Sequence, residues 1–222
     1  QQKSLSPQQV MESKKRPTRV VWAIDISVND VPQLAKRLAL LRDYHLRTGA
    51  EIIPVHILPL GPKSWLGSSL AFPRTNIKSM AKESFKSLFK DLGVDYVHDP
   101  IILETENLSL RSHVDKLNRF AKKISAQLII VLSRSKRGLR RAVVGTFTES
   151  LLLAAETPVL VLHPKNTVDH FEHILFPTDL TEGSKKAFQK ILQTAQVLNA
   201  KITLINQIPF PQIPAVHADY LL

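Results

Sequence analysis

The stretch Val20-Val21-Trp22-Ala23-Ile24-Asp25 is a short apolar run that ends on a carboxylate, with no polar residue alternating inside it. This pattern is typical of a strand that is buried on both faces, as in a parallel sheet. Similar apolar runs recur along the chain, and helix-periodic segments separate them. The predicted strands are 20–25, 52–58, 97–103, 128–132 and 158–162, and the predicted helices are 30–48, 77–92, 108–125 and 146–155. The alternation predicts an α/β fold: a doubly wound, five-stranded parallel sheet with helices on both faces.

Local signals place some of the boundaries of these elements. Gly49 follows a helix-periodic segment and is a predicted left-handed helix stop, and Asn199, at the matching place near the end of the chain, tolerates the same conformation. Gly93 closes another helix-periodic segment, and Asp30 is a predicted N-cap. Pro54 lies inside a predicted strand although it cannot donate a ladder hydrogen bond. We therefore expect a local irregularity in the sheet at Pro54.

The opening of the chain repeats near its end. Ile174 to Asp179 match Val20 to Asp25 at an offset of 154, and Asn199 to Ile202 match Gly49 to Ile52 at an offset of 150. We predict a basic polar tail (1–18), a full domain (19–164), a linker (165–172) and the start of a second, incomplete copy (173–222). The copy stops after one β-α-β unit, so we expect either that the chain is cut short or that the copy finishes its fold on another chain. The first residue is Gln, which suggests a processed or partial product.

Composition narrows the class of protein. The chain has 222 residues, 44% hydrophobic residues and no cysteine, which excludes a disulfide scaffold, a cysteine-ligated zinc site and a thiol nucleophile. We find no apolar run long enough to cross a membrane and no signal core, and we predict a cytoplasmic protein without membrane contact. The net charge of +11 is concentrated in the tail and in the segment 133–141, which carries five cations and no acid.

A ligand site is predicted where the strands end, because open α/β sheets bind ligands beyond the carboxyl ends of their strands. Asp25 follows the first strand and can accept a hydrogen bond from a ribose or a base; the alternative is that it only caps the next turn. The fourth strand leads into a basic loop and then a helix start, where backbone N–H groups favour anions. The alternative for this loop is a solvated, solubilising segment. The candidate residues are Asp25, Ser133, Arg134, Ser135, Lys136, Arg137, Gly145 and Thr146.

The basic loop with Gly145-Thr146, the strand 158–162 and the two strand–Asp openings together resemble the universal stress protein family. The resemblance covers 19–162 as one domain and 173–209 as the beginning of another. In nucleotide-binding members, two further glycines wrap the phosphates, and at those positions this chain has Leu132 and Ser135. The resemblance therefore implies a nucleotide or anion site with an altered cradle. Its expected ligand is ATP, another nucleotide or a smaller anion, with weakened ATP binding.

The resemblance also implies assembly through the fifth strand, which pairs with its counterpart in a partner domain or subunit. The residues of this predicted dimer strand are Val159, Leu160, Val161 and Leu162. We expect a homodimer or an intramolecular pairing of tandem domains.

The function that these observations favour is a regulatory stress-response module with a degenerate nucleotide or anion site. One alternative is an ATP-binding switch with weak ATP hydrolysis. Against an enzyme, the sequence shows no paired general acid and base and no known nucleophile motif. Another is a nucleic-acid-binding module that uses the tail and the loop, but the loop lacks the aromatic residues that stack on bases.

Two histidine-containing features remain. The segment Asp169 to His173 allows a metal cluster but fits a linker better. His56 ends the second strand beside the expected crevice, and we interpret it as a hydrogen-bonded core residue.

Overall fold

The structure is a computed structural model that describes residues 18–25, 31–60, 74–132, 146–163 and 169–206. The chain divides into two compact units, residues 1–170 and residues 171–222. No helix in the described ranges is long and apolar enough to cross a membrane.

The first unit alternates strands and helices. Its strands are β1 (Arg19–Ala23), β2 (Glu51–Pro59), β3 (Ile101–Thr105), β4 (Leu128–Leu132) and β5 (Val159–Leu162), and its helices are α1 (Val31–Thr48), α2 (Arg74–Asp91), α3 (Leu110–Lys123) and α4 (Thr146–Ala154). All strands pair in parallel in the order β3-β2-β1-β4-β5. The predicted doubly wound sheet with helices on both faces is confirmed.

Successive residues of each strand point to opposite faces of the sheet, and both faces of the central strands are covered. On one face, Val21, Val55 and Ile129 pack in a core cluster with side chains of α3 and α4. On the other face, Trp22 stacks on Phe89 of α2 with ring centroids 5.7 Å apart. Burial on both faces explains why these strands are continuous apolar runs.

The predicted helix stops are confirmed. Gly49 follows α1 with φ +63°, and Gly93 lies two residues after α2 with φ +64°. An L side chain at either position would strain the backbone, whereas glycine adopts this conformation freely. The proposed N-cap Asp30 lies outside the described residues.

The third strand begins later than predicted. Pairing with β2 starts at Val55 opposite Ile101, and Val97 forms only an isolated bridge with Ile52. The interruption lies beside Pro54. The N–H and C=O of one strand residue point to the same side, and those of the next residue point to the other side. The Val55 carbonyl accepts from Ile24 on the β1 side, so the backbone of Pro54 faces β3. Proline has no N–H to donate there, at the place where the pairing of β2 with β3 is interrupted. The expected irregularity is therefore a break in the β2–β3 ladder.

The second unit consists of β6 (His173–Pro177), α5 (Glu182–Leu198) and β7 (Lys201–Ile205), with the two strands parallel. Asn199 ends α5 in the left-handed conformation, φ 52°, as predicted. Phe176 of β6 packs on Phe188 of α5 with ring centroids 5.4 Å apart. These contacts form a β-α-β unit with the connectivity of β1-α1-β2.

Candidate ligand site

The carboxyl ends of β1 and β4 lie side by side in the sheet. Ala23, the last residue of β1, pairs with Val131 of β4, and Asp25 follows two residues later with an exposed side chain. From β1 the chain crosses to β2 on one side, and from β4 it crosses to β5 on the other. Such a reversal opens a crevice at this edge of the sheet. The structure therefore places Asp25 at the edge where a ligand was predicted.

The remaining candidate residues follow β4. Ser133, Arg134, Ser135, Lys136, Arg137 and Gly145 lie outside the described residues, so their predicted role stays a prediction. Thr146 begins α4 and is exposed. The first N–H groups of a helix have no partner within it, so this end of α4 can receive an anion. Of the eight candidates, the structure describes Asp25 and Thr146.

His56 is a buried polar group that contacts the residue before Asp25. Its Nδ1 lies 3.1 Å from the carbonyl oxygen of Ile24, the residue before Asp25. Its ring contacts Phe85 of α2 with centroids 5.5 Å apart. Because a carbonyl can only accept, Nδ1 carries the proton and donates. Burial lowers the pKa of His56 below its usual 6.5, although the hydrogen bond to Ile24 opposes this shift. The interpretation of His56 as a hydrogen-bonded core residue is confirmed.

The second unit has an aspartate in the corresponding place. Asp179 follows β6, and its Oδ1 accepts from the backbone N–H of Thr181 at 3.1 Å and from its hydroxyl at 2.8 Å. These bonds lower the pKa of Asp179. Thr181 is in turn the N-cap of α5. In this unit the aspartate organises the turn into the helix, which is the alternative role weighed for Asp25.

A cavity of about 430 Å³ opens elsewhere on the same edge, near the ends of β2 and β3. It is lined by Leu60, Glu104, Thr105, Glu106, Asn107, Ser112, Lys116 and Arg119. This cavity was not predicted from the sequence. Acids and bases are mixed in its lining, and Glu104 already pairs with Lys78 at 2.9 Å. The charges therefore favour neither an anion nor a cation.

The described residues contain no group of three or more His, Asp or Glu side chains arranged to hold a metal. His173, part of the histidine-containing segment, instead contacts the Thr203 hydroxyl through Nε2 at 2.7 Å. This contact joins β6 to β7. It gives His173 a structural role within the second unit.

The predicted dimer strand is an edge of the five-stranded sheet. Among the described strands, β5 pairs with β4 alone. Val159, Leu160 and Val161 are half-buried, whereas Leu162 is fully buried. An apolar edge strand can pair with a further strand. Assembly through β5 stays a prediction.

The strand order and the edge between β1 and β4 define a doubly wound α/β protein. Residues 18–163 match the universal stress protein family, and the chain belongs to this family. A search among curated protein sequences found no significant match. The resemblance that the sequence motifs indicated is thereby confirmed for the first unit.

One solved structure shows the same fold, and two others match with lower TM-scores. A universal stress protein from Archaeoglobus fulgidus DSM 4304 has 14% identity and a TM-score of 0.59, covering 86% of this chain and 67% of that chain. Another from Archaeoglobus fulgidus has 20% identity and a TM-score of 0.45, covering 65% and 97%. A universal stress protein in complex with cAMP has 18% identity and a TM-score of 0.40, covering 67% and 98%. At these identities the likeness concerns the fold.

Proposed function

We propose that the first unit is a regulatory module of the stress response that binds a nucleotide or a smaller anion at the edge between β1 and β4. The observation that carries the proposal is the position of Asp25, beyond the end of β1 and beside the end of β4. Ligands of open α/β sheets bind at such a reversal of strand order. A nucleotide ligand also favours a cytoplasmic location.

Each part of the site has a distinct role in this proposal. Asp25 accepts hydrogen bonds from a ribose or base. The segment 133–137 supplies Arg134, Lys136 and Arg137, whose charges attract phosphate. Thr146 presents the first N–H group of α4, where the helix dipole also favours an anion, and Gly145 precedes it in the sequence.

The phosphate cradle is weakened in this chain. Leu132 and Ser135 stand where nucleotide-binding members of the family are expected to have glycine. A leucine side chain obstructs a close approach of backbone to phosphate, and serine lacks the conformational freedom of glycine. The surrounding cations compensate by charge alone, and charge is screened by salt. We therefore expect ATP to bind weakly and in a salt-dependent manner.

Calorimetric titration of ATP at two salt concentrations tests the site. We expect the double variant Leu132→Gly/Ser135→Gly to bind ATP more tightly than the unmodified protein, and Asp25→Ala to bind it more weakly. Asp179→Ala is the matched control, because it removes the corresponding acid of the second unit and should leave ATP binding unchanged. Micromolar binding by the unmodified protein with little salt dependence contradicts a degenerate site, and absence of binding in every variant contradicts a nucleotide site.

We further propose that the second unit is the start of a second domain of the same family. The pairing registers repeat: Arg19 lies opposite Glu51 in the first unit, and His173 lies opposite Lys201 in the second. These partners are related by the same offsets of 154 and 150 that relate the sequences. The match to a solved universal stress protein covers 86% of this chain. The first unit spans only residues 1–170 of 222, so the matched part includes some of the second unit.

The hydrogen bonds that flank these strands repeat as well. The Glu51 N–H donates to the carbonyl of Thr18 at 2.8 Å, and the Lys201 N–H donates to the carbonyl of Glu172 at 2.8 Å. Amide hydrogen exchange tests whether the second unit forms this structure in solution. We expect protection at Lys201 as at Glu51. Exchange of Lys201 at the rate of an unfolded chain would contradict the proposal.

For β5 we propose that a strand of a partner domain or of a second copy covers the edge that no described strand pairs with, because the side chains of β5 are apolar. If a second copy supplies the strand, light scattering gives a mass above that of one chain. Val161→Pro should lower the mass. The Pro158 carbonyl faces β4, so the Val161 N–H faces the outer edge, and proline removes that donor. Lys116→Ala, a change on α3, is the control. A monodisperse monomer of the unmodified protein would refute pairing between copies.

A further inference from the structure

The backbone immediately before Asp25 is held on both of its polar groups. The Ile24 N–H donates to the carbonyl of Val55 at 2.9 Å, and the Ile24 carbonyl accepts from His56 Nδ1 at 3.1 Å. The last regular pair of these strands is Ala23 with Val55, so Ile24 lies one residue beyond it. The His56 side chain of β2 therefore holds β1 for one residue beyond the last strand pair, up to the residue before Asp25.

The second unit repeats this arrangement with a different residue. The Thr178 N–H donates to the carbonyl of Ile205 at 2.8 Å, and the Thr178 carbonyl accepts from Asn206 Nδ2 at 2.9 Å. Thr178 precedes Asp179 as Ile24 precedes Asp25. Asn206 follows Ile205 as His56 follows Val55. Both corresponding pairs obey the offsets of 154 and 150.

Histidine and asparagine can make the same bond because of their covalent structure. The Nδ1 of histidine and the Nδ2 of asparagine are both bonded directly to Cγ, so the two donors have the same reach from the backbone. The side chains otherwise differ in size and shape. A role in filling space would not require a donor at this position, and burying a polar group costs free energy unless it is hydrogen-bonded. The shared feature of the two positions is the N–H that reaches the carbonyl.

We infer that His56 and Asn206 are positioning residues, each of which fixes the carbonyl that precedes an aspartate and so sets the direction in which that aspartate leaves the sheet. For His56 the inference rests on the proposed function, because Asp25 is there the ligand contact. In the second unit the same bond orients Asp179, whose carboxylate holds Thr181. His56 therefore acts on a ligand through the backbone at Ile24 and Asp25 without touching the ligand.

Two substitutions at position 56 separate this role from packing. His56→Asn keeps a donor on Cγ and is the residue found at the equivalent position, 206. His56→Leu replaces the imidazole by an apolar side chain of similar length that has no hydrogen-bond donor. The first readout is the ¹⁵N chemical shift of the Asp25 amide, which responds to the hydrogen bond accepted by the preceding carbonyl. The second readout is the affinity for ATP.

We expect His56→Leu to change the Asp25 amide shift and to weaken ATP binding about three- to tenfold, the effect of one hydrogen bond. His56→Asn should restore both values toward those of the unmodified protein. In the unmodified protein, ¹⁵N spectra of the imidazole should show the proton on Nδ1. An unchanged Asp25 amide in His56→Leu, failure of the Asn variant to restore it, or a proton on Nε2 would overturn the inference. Unchanged ATP affinity beside an altered amide would overturn the action on the ligand.

The same test in the second unit does not depend on nucleotide binding. Asn206→Leu should change the amide shift of Asp179, and Asn206→His should restore it. If no variant binds ATP, the proposed function fails while the amide shifts still decide whether these residues position the aspartates. If His56→Leu does not fold, the pair of variants at Asn206 decides the question. An Asp179 amide that ignores both substitutions would overturn the inference.

Discussion

Truncation of Leu117 in α3 should destabilise the first unit because this side chain holds a helix on the sheet. Leu117 is 0% exposed and belongs to the core cluster with Val21, Val55 and Ile129. Leu117→Ala removes buried methyl groups and leaves a cavity, which costs about 3 kcal/mol. For a chain of this size the loss corresponds to a fall in Tm of about 6–12 °C. The native state remains populated, since domains of this kind have about 5–15 kcal/mol of stability.

Urea unfolding followed by Trp22 fluorescence measures this effect in the first unit. Trp22 is fully buried and stacked on Phe89, and a Trp65→Phe background leaves it as the single tryptophan of the chain. Leu153→Ala is the control: Leu153 belongs to α4 and is 85% exposed, so its truncation should change stability by less than about 0.5 kcal/mol. Equal losses in the two variants, or a loss below about 1 kcal/mol for Leu117→Ala, would refute this account of the core.

Three further predictions concern single groups. Burial lowers the pKa of His56, so the unfolded chain binds a proton at this residue more readily than the folded chain. The free energy of unfolding should therefore fall, relative to that of His56→Asn, as the pH drops below about 6.5. Parallel curves of stability against pH for the two proteins would contradict this. Gly49→Ala should cost about 1 kcal/mol because of its positive φ, whereas Asn199→Gly should be neutral or stabilising in thermal unfolding. The Tyr96 hydroxyl donates to the carbonyl of Leu38 at 2.9 Å, so Tyr96→Phe should cost about 1 kcal/mol in urea unfolding; no loss would mean that water satisfies this carbonyl equally well.

Features of short range were predictable from the sequence. The run at 128–132 coincides with β4, and the helix stops at Gly49, Gly93 and Asn199 adopt the left-handed conformation expected of them. Each depends on a residue and its immediate neighbours: burial on both faces requires an apolar run, and glycine and asparagine adopt a positive φ at the least cost. The internal repeat was also visible in the sequence, because its matched segments lie at two constant offsets, 154 and 150.

The onset of β3 was only partly predictable from local sequence. Val97 and Ile101 both lie in the segment predicted as one strand, but the ladder begins at Ile101. The residue before each member of its first pair is a proline, Pro54 in β2 and Pro100 ahead of β3, and neither can donate a backbone hydrogen bond. Pro100 is a local signal, whereas Pro54 is more than 40 positions away and meets this segment only in the folded sheet.

The candidate site likewise combines a feature that local sequence predicted with features that only the tertiary structure decided. The place of Asp25 at the end of a buried strand could be predicted from residues 20–25, together with the rule for ligands of α/β sheets. The role of His56 required the tertiary structure, since its partner Ile24 is 32 residues away and meets it only when β1 and β2 pair. The same holds for the neighbourhood of β1 and β4, which joins residues over 100 positions apart. Local sequence sets backbone preference and burial, whereas contacts between distant residues arise only when strand order and register bring their side chains within hydrogen-bonding distance.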